Sequence, residues 1–154
     1  MNKKIMDDTD FENISFHDNF IHALTYDPED SELLFDIDYL IEWLEPDEEG
    51  CYSFNIAPST LIFYGVSNLE IDIGINGIAT FDILEIKREI EPPRKGVKVP
   101  IYRYEIVLDH VGKITFSSIG FELFIRSFFP DTESQVLSRK ERGGISFEKV
   151  SCNT

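Results

Sequence analysis

Residues 33–43, LLFDIDYLIEW, alternate with a period of two. Leu33, Phe35, Ile37, Tyr39, Ile41 and Trp43 fall on one side; Leu34, Asp36, Asp38, Leu40, Glu42 and Leu44 fall on the other. An apolar face opposite one that carries carboxylates predicts a strand with one side on a core. Leu40 to Leu44 could close a helical turn, but the β-branched and aromatic content favours the strand. On this pattern Trp43 belongs to the core; its alternative role is an interface anchor.

The same reading extends along the chain. Residues 1–13 are expected to fray or to start a short helix, with Asp7, Asp8 and Asp10 suited to its N-terminus. Asn19–Tyr26 reads as a first strand, joined to the central one by a turn at Asp27-Pro28-Glu29-Asp30. Tyr52–Ala57 and Thr60–Tyr64 read as two strands, with Pro58 ending the first or marking an edge. Asn68–Ile75 alternates cleanly into Asn76-Gly77, the pair a type I′ hairpin turn requires, so Phe81–Ile90 is expected to return beside it, with a bulge near Leu84. Residues 91–100 make a mobile loop rich in proline and cations. Strands follow at Ile101–Asp109, Lys113–Ser117 and Phe121–Phe128. Thr132-x-x-Gln135 matches a capping box and predicts a helix over 131–142, capped by Gly143 or Gly144, with a last edge strand at Ile145–Val150. The expected fold is mainly β: an antiparallel sandwich or partly closed barrel, one domain over 1–154, with one short C-terminal helix.

Composition narrows the class. At 154 residues, 42% hydrophobic and 28% charged, the chain is globular and long enough to bury a core without metal or disulfide. Thirteen Phe, six Tyr and one Trp supply core and cross-strand pairs. No signal peptide and no run of 18 apolar residues is visible, so the expected location is the cytoplasm, with Cys51 and Cys152 as free thiols.

Charge is distributed unevenly. The net charge is −15, yet residues 5–86 hold twenty Asp or Glu and not one Lys or Arg. Such a surface repels nucleic-acid phosphates and suits a basic protein partner. The densest exposed stretch should be Glu45, Asp47, Glu48 and Glu49, which with Trp43 form the expected partner-binding site. Asp36, Asp38 and Glu42 are secondary candidates.

Motifs for chemistry are sparse. His17 and His22 are five apart, on opposite faces of a strand or about 140° apart on a helix, so they do not make a metal edge. Asp36 and Asp38 share a strand face about 7 Å apart, the spacing of some paired catalytic carboxylates. The plainer expectation is solvated acids on a half-exposed face; if that face is covered, Lys or Arg from the second half must reach them. There is no phosphate-binding glycine loop, no nucleophile elbow and no cysteine at metal spacing, so neither cofactor nor metal is expected.

The run FHDNFIHALTYD…LLFDIDYLIEW, followed by APSTLIFYGVSNLEIDI, resembles small acidic β-rich bacterial proteins, some of the immunity type that neutralise a toxin. The resemblance implies an immunity- or antitoxin-like inhibitor and carries over no catalytic residue; with the charge pattern, the expected function is a non-enzymatic acidic protein-interaction module for a basic protein partner. The alternatives are a β-barrel binding a small apolar ligand, or a carboxylate-based enzyme or metal protein using Asp36 and Asp38 with His22 or His17.

Overall fold

The computed structural model describes residues 4–77 and 80–152. The elements are β1 (Ile5–Asp7), a 3-10 helix (Asp8–Asn13), β2 (Phe20–Asp27), β3 (Glu32–Leu44), β4 (Ser53–Tyr64), β5 (Ser67–Ile73), β6 (Ile83–Ile90), β7 (Tyr102–Leu108), β8 (Gly112–Ser118), β9 (Gly120–Ile125), β10 (Phe129–Thr132) and α1 (Arg139–Arg142). They form two antiparallel sheets. The larger runs β1-β9-β4-β3-β2, with β10 also on β4; the smaller runs β5-β8-β7-β6. Neither sheet closes into a barrel; the edge strands β2 and β6 meet through an isolated antiparallel bridge between Phe20 and Asp82, which joins the two sheets along one side.

Aromatic residues fill the space between the sheets. Phe63 of β4 meets Tyr104 of β7 at 4.9 Å and Phe116 of β8 at 4.7 Å between ring centroids, edge to face. Leu33, Phe35, Ile37 and Tyr39 of β3 point into this core, as the alternation requires. In the N-terminal segment the short-helix alternative is the one present, as a 3-10 helix after β1; residues 1–3 lie outside the described residues. Asp7 caps the 3-10 helix through a capping box with Asp10, and Arg88 lies between the rings of Phe11 and Tyr102 while pairing with Asp8 at 2.7 Å.

Several expected elements are corrected. The pattern of β3 holds as far as Ile41, which still packs on the core; the register with β4 shifts between Leu40 and Glu42. That bulge inserts one residue and reverses the phase, so Trp43 joins the outer side with Leu40 and Phe54 instead of the core. Pro58 neither ends a strand nor marks an edge; it lies within β4, opposite Asp38. Its carbonyl accepts from Arg126 N–H, on the side where the neighbour of β4 changes from β10 to β9. The missing N–H of proline points to that same side and falls in the gap between them. The two strands read around Pro58 are thus one.

Asn76-Gly77 does not close a hairpin. β5 pairs with β8 and β6 with β7, at opposite edges of the smaller sheet. Residues 78 and 79, between that pair and the return expected from Phe81, lie outside the described residues. The bulge near Leu84 is present, as a register shift between Ile83 and Glu85. The helix expected over 131–142 is only its last turn. Ser138 and Glu141 form the capping box, not Thr132 and Gln135, because Phe129–Thr132 is drawn into the sheet as β10. Gly143 takes the left-handed cap, at φ 84°. Residues 145–150 form no strand.

Candidate functional site

Two regions gather the candidate residues. The first is the end of the larger sheet at the β3–β4 connection. Beyond the bulge, Trp43 is 50% exposed and Tyr52, across the loop, 55%. Their rings meet edge to face at 5.9 Å, and Trp43 also packs on buried Phe54 at 5.0 Å. Glu45, Asp47, Glu48 and Glu49 are all exposed. Asp47 organises the loop: its Oδ1 accepts from the N–H groups of Glu49 and Cys51, both at 2.9 Å. Pairing of β10 with β4 brings Asp131 and Glu133 to the other wall, so Asp47, Glu49, Tyr52, Asp131 and Glu133 line one groove. Glu42 is exposed beside it and accepts from Asn55 Nδ2 at 2.6 Å. The sequence pattern missed Tyr52, Asp131 and Glu133. The last two fall in the stretch whose pattern predicts helix, and only the non-local pairing of β10 places them here.

The second region is the Asp36 and Asp38 pair. Both are 0% exposed, so the expectation of solvated acids is corrected and its conditional holds: cations from the second half reach them. Arg142 donates from Nη1 to Asp36 Oδ2 at 2.6 Å, from Nη2 to Asp36 Oδ1 at 2.8 Å and from Nε to Asp38 Oδ1 at 3.0 Å. Arg126 Nη2 donates to Asp36 Oδ1 at 2.7 Å and Ser146 N–H to Oδ2 at 2.9 Å. Asp38 Oδ2 accepts from His22 Nε2 at 2.7 Å and from Leu137 N–H at 2.9 Å. Burial pushes the Asp36 carboxyl up, but the bonds from Arg142, Ser146 and Arg126 outweigh it and hold it below the ordinary aspartate range.

His17 takes no part in this cluster; its Nδ1 lies 2.9 Å from the Leu84 carbonyl. His17 lies in the turn before β2, so the spacing argument for two residues of one strand does not apply to the pair; of the two histidines named with the aspartates, His22 reaches Asp38. The guanidinium of Arg142 stands between the carboxylates, where a catalytic water or cation would have to sit. The arrangement is built to join chain segments. A separate grouping, Asp27, Asp30 and Glu32 at the β2–β3 turn, brings carboxylate oxygens near one another, but Lys149 Nζ already bonds Glu32 at 2.8 Å.

Cys51 and Cys152 are free thiols. No helix is long and apolar enough to cross a membrane among the described residues. Compared with known proteins, the chain matches no family model, no curated protein and no solved structure.

Proposed function

We infer that this protein is a non-enzymatic interaction module that presents its acidic end to a basic protein partner, in the manner of an immunity protein or antitoxin-like inhibitor. The observation that carries the reading is the exposed Trp43 and Tyr52 pair beside the groove of Asp47, Glu49, Asp131 and Glu133. A half-exposed Trp is a natural anchor, and carboxylates around it steer and select a cationic surface. The fold supports the alternatives less. The interior that a barrel ligand would need is filled by Phe63, Tyr104 and Phe116, and the buried carboxylates that an enzyme would need are bonded to Arg126 and Arg142.

The test is affinity capture from the source cell at low and high salt, with the wild type beside a Trp43→Ala/Tyr52→Ala variant. A partner of high isoelectric point, retained at low salt by the wild type and lost with the variant, supports the reading. Equal capture by both proteins contradicts it.

A further inference from the structure

After β10 the chain crosses the outer face of the larger sheet without joining it as a strand. Polar bonds hold it there. Leu137 N–H and Arg142 Nε bond Asp38; Arg142 and Ser146 N–H bond Asp36; the Thr60 hydroxyl bonds the Glu148 carbonyl; and Lys149 bonds Glu32. Leu137 and Phe147 add contacts to two small clusters on that face, separate from the core between the sheets.

The seam differs in kind from the core. If this segment lifts, Arg126 gives up its bond to the Ser146 carbonyl but keeps Thr60 and Asp36, because it follows β9 directly, and Asp38 keeps His22 of β2. Both carboxylates then meet water instead of being stranded. Coulombic gain in a buried ion pair is largely cancelled by desolvation, so a seam made of such pairs opens at lower cost than one made of apolar surface. What remains is two carboxylates against one permanent cation, a site short of one positive charge. Its oxygens are disposed for a forked donor, because Nε of one guanidinium serves Asp38 while Nη1 and Nη2 serve Asp36.

We propose that residues 135–149 are a strap bound in cis, that it opens without unfolding the sandwich, and that the seam beneath it takes a guanidinium-bearing segment of a protein partner. The occupant follows from charge complementarity and from the chain's own Arg142 already seated there. The inference stands apart from the reading of the acidic loop.

Two measurements test it. Hydrogen exchange on the intact chain should show the Leu137 and Ser146 amides opening well before those of β3 and β4; exchange in step with the β3 and β4 amides would overturn the proposal. In the full chain with a specific-protease site inserted after Ser134, cleavage should leave the β-sheet circular dichroism in place. A labelled synthetic peptide of residues 135–152 should then replace the cut segment, and its Arg142→Ala form should bind at least tenfold more weakly. Loss of the sheet signal on cleavage, or equal binding of the two peptides, would overturn it.

Discussion

Arg142 Nη1 lies 2.6 Å from Asp36 Oδ2, across 106 positions of chain, with both side chains fully buried. This bond ties the acid-rich half to the cation-bearing half and sets the cost of removing the arginine. Breaking a pair inside a closed core costs about 3–5 kcal/mol. Because the strap can lift and hydrate both acids, Arg142→Ala should cost less, about 1–3 kcal/mol, in urea unfolding. Loss of the fold in that variant would contradict the account.

Acid should weaken the same seam. The folded pKa of Asp36 is depressed, so its stabilisation is complete above the ordinary aspartate value near 4 and is lost as pH falls through the lower folded value. Urea midpoints at pH 5, 3 and 2 should fall for the wild type, and fall less for Asp36→Asn. Parallel losses in the two proteins would count against it.

Asp82 is expected to behave in the opposite sense. Burial, with Asp18 and Asp109 nearby, raises its carboxyl despite the Thr80 hydrogen bond. A raised folded pKa favours the protonated acid, so its contribution to stability is lost as pH rises through that value. Asp82→Asn should stabilise slightly at pH 7, by up to about 0.5 kcal/mol, and the gain should vanish near pH 3. A thermal melt at each pH reads this directly; destabilisation at pH 7 would refute it.

Local pattern identified the strands well and their partners poorly. The alternation of β3 was visible because one face of the strand meets the core, and the bulge at β6 was visible because its apolar face changes side. The bulge of β3 left no such trace: Ile41 and Trp43 are apolar on either phase, so the exposure of Trp43 could not be read from the pattern. Asn76-Gly77 satisfied the backbone demand of a hairpin, but pairing is decided by which faces fit together across the sheet. Asp36 and Asp38 carried a legible condition, that cover requires cations. Which cations was settled only when Arg126 and Arg142 folded over them from ninety or more positions away.

Trp43 separates folding from binding. Half its surface is exposed and it packs edge to face on Phe54, so Trp43→Ala should cost about 1 kcal/mol of stability. Phe63→Ala in the fully packed core should cost about 3–5 kcal/mol. If Trp43 anchors the partner, its loss speeds dissociation with the fold intact. Unfolding by Trp43→Ala would return the residue to the core.

The central claim is that the acidic end steers a basic partner, and the association rate tests it most directly. With a captured partner, stopped-flow association is measured across a sodium chloride series for the wild type and for Glu45→Gln/Asp47→Asn/Glu48→Gln/Glu49→Gln. Exposed rim charges change association by about 10- to 1000-fold at low salt, and the effect fades as salt screens them. The account predicts a marked slowing of the fourfold variant at low salt that disappears at high salt. An association rate unchanged by the fourfold neutralisation at every salt concentration would contradict it.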